Sequence, residues 1–438
     1  MSTEAPARKA TGADAGKYAS VEAKIDEKRV IDFFKSVVRI PSERFKEHDV
    51  ARHIGAYMDG MGMKVTYHPF SQNGVGMLNV VGRYGPNTGG KRILLCAHMD
   101  TGSGQYQGLV FQRDKWTKDP LDPVVEGGYL YGLGTLNDKQ GVACAIGAAD
   151  AVIKSGVPFD GEIVLAFVCA ETILGVGAGH LFGKGFDADL AIILEGTGLD
   201  IVTVSIGEVR GRIIVKGEHK HHEPHANPVE TVRYLLDAFT PGYGDNKAKK
   251  FLTSKVVEPE LPGVPAGALR WIHSDPADLD RVNVFFDTMC LEDQTPESVK
   301  KDLERLVADI RREHPDFDAE VDVEGWEPPG SGNFIYGASP TDTESPIVTV
   351  VAAHHEQVRG KKPVIGAGRR YGAGSDASVL KRVGIPTIEY APGTFGPGGD
   401  VERWPTTDER INVKDVMDCT RVVARSLVDL LNQPRGKG

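Results

Sequence analysis

Residues 93–102 read ILLCAHMDTG, and this stretch decides the fold. Its first five residues are continuously apolar, too few for an ordinary helix, and polar residues follow at once. Such a run is expected of a strand buried on both faces of a sheet. Two further runs have the same character, IVLAFV at 163–168 and LAIIL at 190–194. Between the first two, Val142, Ala145, Ile146, Ala149, Val152 and Ile153 fall on one face of a helix. Strand, helix and strand in alternation predict an α/β fold, with a mixed-sheet α/β/α catalytic domain.

Working outward, residues 1–20 are rich in Ala, Lys and Gly and are expected to fray. Apolar positions from Val21 to Val38 follow helical spacing, and Ile40-Pro41 ends the run. The first part of the catalytic domain is thus expected over 21–211. The pattern then changes. Arg212–Lys216 reads as a strand, Pro228–Phe239 as a helix, and Arg281–Met289 as a strand after a long Pro/Gly-rich connection at 240–280. Thr295-Pro296 starts a second helix, with Thr as N-cap and Pro in the first turn. Ala319–Val323 closes a β-α-β-α-β module, expected over 212–330 as an inserted α+β, ferredoxin-like domain. Alternation resumes over 331–438: a helix after Ser345-Pro346, a Gly-rich loop, the apolar run 386–390, and a helix from Asp415.

With 438 residues, two domains are the natural expectation. The net charge of −10 argues against nucleic acid or anionic membrane as partners, because both call for basic patches. His219, His221, His222 and His225 do not change this, being mostly neutral at pH 7. Five scattered cysteines without CxxC spacing read as reduced thiols. The N-terminal residues carry no apolar signal-peptide core and no run is long enough to span a membrane, so cytoplasm is the expected compartment.

Polar clusters follow each buried run. The first ends in His98-Met99-Asp100, the second in Glu171, the third in Glu195, and GLGTLNDK at 132–139 leads into the helix. Alone, a His-x-Asp is commonly a surface pair, and a Glu past a strand commonly neighbours a helix cap. Together they fall at carboxyl ends of strands, where open α/β sheets place their ligand crevice. Imidazole with carboxylates is metal-binding chemistry, and Asp100 stands where it can orient His98.

Several segments together resemble one family: LLCAHMDTG, WTKDP at 116–120, YGLGTLNDKQG, CAETILGVGA, IILEGTG, GAGSDASVLKRVGIPTIEYAPG and DERINVKD. In this order, from about Val21 to the C-terminus, they are similar to the dinuclear zinc amidohydrolases and exopeptidases that include aminoacylase and acetylornithine deacetylase. The resemblance implies that the inserted module is a lid that mediates dimerisation. It implies that His98 and Glu195 bind the first metal, that Asp100 orients His98, and that Glu171 is the general base. It places the metal-bridging aspartate on Asn137, a second-metal glutamate on Thr172, and the last second-metal histidine on Pro405. His221 matches the lid histidine that reaches a neighbouring subunit's site.

Asn137, Thr172 and Pro405 all depart toward neutral residues. Two divalent cations a few ångströms apart need several carboxylates to offset their repulsion. One divalent metal per chain is therefore expected, held by His98, Glu195 and either Asn137 or, after a small shift, Asp138. So weak a donor set predicts labile binding with little discrimination among zinc, manganese, cobalt and nickel. Glu171 keeps the minimum for hydrolysis, a base beside a metal-activated water. Ser375 lies in the segment that resembles the family's loop for a substrate carboxylate, and Arg369 and Arg370 before it offer forks for a small carboxylate substrate. Taken with the three departures, the resemblance implies hydrolytic deamination of 5-nitroanthranilate to 5-nitrosalicylate and ammonia. The alternatives are a single-metal amidase or exopeptidase and a non-catalytic binding protein.

Overall fold

The structure is a computed structural model. It describes residues 12–72, 74–101, 115–173, 175–218, 227–240, 246–256, 265–275, 278–323, 334–335, 340–366, 374–395, 403–404 and 407–435. The chain divides into two compact units: Met1–Val204 with Pro340–Tyr371 and Val379–Gly438, and Ser205–Ser339 with Gly372–Ser378. The second unit thus begins some residues before the expected 212, because its first strand starts at Gly207. It also takes in a short piece of the later Gly-rich loop.

The first unit opens with α1 (Gly12–Glu22), α2 (Glu27–Val38) and α3 (His48–Gly60). The expectation of a frayed tail through residue 20 is corrected here. Tyr18 and Val21 are buried, and the Tyr18 hydroxyl donates to Asp429 at 2.8 Å, so tertiary packing holds α1 in place. The run from Val21 to Val38 is two helices rather than one, since Asp26 turns extended and its side chain caps α2 at the Arg29 N–H. An antiparallel hairpin of β1 (Lys64–Gln72) and β2 (Val75–Tyr84) precedes β3 (Arg92–His98). Then come a small ribbon of β4 (Val124–Glu126) and β5 (Tyr129–Tyr131), α4 (Lys139–Ser155), β6 (Glu162–Val168), α5 (Val176–Phe182), β7 (Leu190–Ile193) and β8 (Ile201–Val202).

The second unit carries β9 (Gly207–Lys216), α6 (Pro228–Phe239), β10 (Ala266–Asp275), β11 (Asp278–Cys290), α7 (Pro296–Glu313), β12 (Asp318–Asp322) and β13 (Phe334–Ile335). The path β10-β11-β9-β12 is antiparallel throughout. Numbered within the module, this is order 2-3-1-4, the β-α-β-β-α-β arrangement of a ferredoxin-like domain. The connection expected over 240–280 is therefore corrected, because Ala266–Asp275 is strand β10 and β11 already begins at Asp278. Thr295 caps α7 in a reciprocal box with Ser298, and Val299, Leu303, Leu306, Val307 and Ile310 join the core on that helix's apolar face.

The first unit resumes with α8 (Pro346–Arg359), β14 (Ile365–Gly366), α9 (Ala377–Arg382, whose first residues cluster with the second unit), β15 (Thr387–Glu389), β16 (Thr394–Phe395), β17 (Arg403–Trp404), β18 (Arg410–Asn412) and α10 (Val413–Leu430). Its main sheet has eight strands in the order β1-β2-β6-β3-β7-β15-β8-β14. Strands β6, β3 and β7 run parallel at its centre, and β3 and β6 are buried at every position but the first. Helix α4 packs on β3 and β6 and α10 packs on α4 and α8, and their apolar residues join one core with the sheet. Among the described residues, no helix is long and apolar enough to cross a membrane.

Candidate metal centre

Because β3, β6 and β7 are parallel neighbours in register, their carboxyl ends lie side by side. The chain leaves each strand at a polar residue: His98 from β3, Glu171 two residues beyond Cys169 after β6, and Glu195 after β7. One ligand atom from each of His98, Glu171 and Glu195 lies within 4.8 Å of the others, and all three residues are buried. His98 Nε2 is 3.7 Å from Glu171 Oε2 and 2.6 Å from Asn137 Oδ1. Glu171 and Asn137 thus face one imidazole nitrogen of His98, with Glu195 close by in the same cluster.

The electrostatics are those of a site that wants a cation. Burial alone would lower the His98 pKa, but the charges of Asp100, Glu171 and Asp138 raise it well above its usual value. Positive charge is thus favoured where Nε2, a Glu171 oxygen and the Asn137 carbonyl converge. A divalent cation meets the same demand, and the donors of His98, Asn137 and Glu195 fit one such ion in number and chemistry.

The other side of the imidazole is held by Asp100. His98 Nδ1 faces Asp100 Oδ1 at 3.4 Å, long for a hydrogen bond, and has no other partner. The carboxylate itself is fully engaged. Oδ1 accepts from the Glu171 N–H at 2.9 Å, and Oδ2 accepts from the Thr172 N–H at 2.9 Å and the Thr172 hydroxyl at 2.6 Å. Burial would raise the Asp100 carboxyl, but His98 and the Thr172 donors outweigh it and hold it at about 2. Glu47 lies on the same flank and accepts from the Ala170 N–H at 3.1 Å; burial, then the charge of Asp100, pushes it up to about 8.

Asn137 and Asp138, joined by a cis peptide bond, point in different directions. Asp138 is wholly buried, and its carboxylate accepts from the His98 backbone N–H at 3.2 Å and the Gln140 amide at 3.0 Å. The alternative that puts Asp138 in the place of Asn137 meets a carboxylate already engaged, its oxygens bracing the end of β3 and the start of α4. Gly141 is what allows the close approach: a Cβ there would sit 2.0 Å from the Leu194 carbonyl oxygen.

Two buried ionisable groups support the same turn, and sequence reading gave neither a role. Glu409 accepts from the Gly134 N–H at 3.1 Å and the Leu136 N–H at 2.5 Å, and burial pushes its carboxyl up to about 7. Lys139 donates to the Val37 and Ile40 carbonyls at 3.0 and 2.9 Å, and burial pushes its amine down to about 7. Arg44, likewise unread, reaches Thr172 (Nε to Oγ1 3.0 Å, Nη2 to the carbonyl 2.5 Å). The only sequence signal for these was negative: charged residues beside apolar ones in segments that must pack.

His221, Arg369, Arg370 and Pro405 lie outside the described residues. Ser375 is buried, and its hydroxyl accepts from the Ala377 N–H at the start of α9. His354 and His355 are structural, pairing with Asp429 at 2.8 Å and the Tyr390 hydroxyl at 2.9 Å.

With the fold and the cluster in view, comparison with known proteins defines the class. The model of peptidase family M20/M25/M40 matches residues 94–429, and the chain belongs to that family. It is 24% identical over 414 residues to succinyl-diaminopimelate desuccinylase of Wolinella succinogenes, covering 91% of this chain and 99% of the relative. It is 22% identical over 361 residues to N-formyl-4-amino-5-aminomethyl-2-methylpyrimidine deformylase of Bacillus subtilis, covering 76% and 77%. Among solved structures, a di-peptidase from Saccharomyces cerevisiae has the same fold, with a TM-score of 0.73 at 15% identity over 95% of this chain and 99% of that one. The protein is a metal-dependent hydrolase of carbon–nitrogen bonds.

Proposed function

We propose that this chain hydrolyses an amide bond, releasing an acyl group from a small carboxylate-bearing amine or cleaving a short peptide, with one divalent metal per chain. The observation that carries the reading is the buried trio of His98, Glu171 and Glu195. The relatives it resembles are named for desuccinylation and deformylation, and both names describe acyl groups leaving nitrogen. Deamination of 5-nitroanthranilate draws no support from those names and gives way to the amide reading.

His98, Glu195 and the Asn137 carbonyl would hold the metal, which when bound supplies Lewis acidity and a water of lowered pKa. Asp100 keeps the His98 ring oriented from behind. Glu171 stands beside the ligand set and takes a proton from the attacking water as its oxygen bonds to the carbonyl carbon. The same carboxyl then gives that proton to the departing nitrogen as the carbon–nitrogen bond breaks. The second proton of the water leaves the new acid group for the amine, so the products are a carboxylate and an ammonium.

One metal, rather than two, is supported by the neutrality of Asn137 and Thr172. The Thr172 hydroxyl gives its hydrogen to Asp100 and accepts from Arg44, and it carries no charge to offset a second ion. The test is a substrate panel of N-succinyl, N-acetyl and N-formyl amino compounds and dipeptides, run beside 5-nitroanthranilate with added zinc or manganese. Metal-dependent release of amine from a panel amide is expected. Turnover of 5-nitroanthranilate alone would overturn the amide reading in favour of aromatic deamination.

A further inference from the structure

Arg44 and Thr172 form a chain of contacts that ends at the metal-binding imidazole, and the direction of each hydrogen bond is fixed by chemistry. A guanidinium only donates. With Arg44 Nε giving its proton to Thr172 Oγ1 at 3.0 Å, a lone pair of the hydroxyl is occupied and its single hydrogen is left for another acceptor. Asp100 Oδ2, at 2.6 Å, is that acceptor. The second guanidinium contact, Nη2 to the Thr172 carbonyl at 2.5 Å, fixes the backbone of the same residue. Asp100 therefore receives three donors from the Glu171–Thr172 segment, and its remaining direction faces His98 Nδ1.

We infer that Thr172, aligned by Arg44, is a positioning residue for the metal ligand His98, acting through Asp100. With a cation bound, the carboxylate held in this way would keep the ring proton on Nδ1 and leave Nε2, which faces Asn137 and Glu171, for the ion. The arrangement joins residues 128 positions apart, Arg44 and Thr172, across the top of the sheet. Its members are nearly all shielded from water: Asp100 is 0% exposed, His98 1% and Arg44 9%. Hydrogen bonds to a charged carboxylate in such surroundings are stronger than those in water. The substitution that removed a possible ligand at 172 thus supplies a donor that a carboxylate at neutral pH does not have.

This inference rests on the proposed reading of His98 as a metal ligand, and the test separates the two. Zinc affinity is measured by competition with a chromophoric chelator for the full-length wild type, Thr172→Val, Thr172→Ser and Arg44→Met. Apo-protein melting is followed in parallel. Valine keeps the shape of threonine and removes the hydroxyl, so zinc binding is expected to weaken about 10- to 100-fold, the usual cost of losing an outer-shell partner. Serine restores the donor and is expected to stay within about threefold of wild type. Arg44→Met is expected to fall between them. Valine binding zinc as tightly as wild type overturns the inference. So does serine as weak as valine, which would mark packing rather than the hydroxyl as the cause. If Thr172→Val does not fold, the serine and Arg44→Met affinities decide: serine near wild type with Arg44→Met clearly weaker supports the relay, and any other pattern overturns it. Absence of zinc binding by wild type would instead remove the ligand reading beneath it.

Discussion

The eight-stranded sheet of the first unit and the antiparallel sheet of the second bury their residues in different ways. In β3 and β6 every residue after the first is buried, so the strands cannot carry polar side chains until they end. In β9 buried and half-buried positions alternate over the first six residues, and the less buried face carries Arg210 and Arg212, paired with Glu208 and Asp322. Where a sheet is covered on both faces, chemistry is concentrated at strand ends. Where one face is only half-buried, charge is spread along the strand and says little about a site.

The sharpest way to break this contrast is to remove the strand-end base. Glu171→Gln is expected to lower kcat by about 10²- to 10⁴-fold while metal content stays unchanged, measured by steady-state kinetics beside elemental analysis. Activity within a few-fold of wild type would sink the base assignment. Next come the cores. Leu165→Ala in β6 and Leu303→Ala in α7 each empty a fully buried site, and each is expected to cost about 2–5 kcal/mol in urea unfolding. A neutral result for either would mean that the core described for its unit is wrong.

The fold was legible where burial made the pattern one-sided. The runs ending at His98, Glu171 and Glu195 announced both their strands and the cluster, while Asn137 was reached only through the family resemblance, with Asp138 beside it as the alternative. The hairpin β1–β2 was not legible. Its outer strand, KVTYHPFSQ, carries Pro69 and mixed polarity, which only an edge strand tolerates. Strand β10 escaped because Ala266-Gly267-Ala268 mimics a loop and its outer residues Trp271 and Ile272 are exposed. Within the site, spacing could not tell which of two adjacent residues faces the ion. Asp138 accepts from the His98 N–H and the Gln140 amide, so both of its carboxylate oxygens are engaged at that turn. Arg44 and Glu409 act across long sequence separations and leave no local signature.

A pH effect sharpens the picture of the strand ends further. Glu47 holds its proton in the folded protein up to about 8, against a usual value of 4.5, so the native state binds the extra proton between those limits. Stability from this group is therefore fully present below pH 4.5 and is lost as pH rises through 8. Urea midpoints of wild type are expected to fall between pH 5 and 8 more steeply than those of Glu47→Gln. Parallel slopes would contradict the raised value. The smallest effect belongs to the half-buried face of the second sheet. Removing the part-exposed Lys216–Glu320 pair with Lys216→Ala is expected to change stability by about 0–1 kcal/mol.

The central claim is that the cluster at the ends of β3, β6 and β7 balances one cation. Equilibrium dialysis of the full chain against excess zinc, followed by elemental analysis, tests it most directly. One zinc per chain, reduced to near none by His98→Ala, is the predicted result. Two zinc ions per chain, both lost when His98 is replaced, would contradict it.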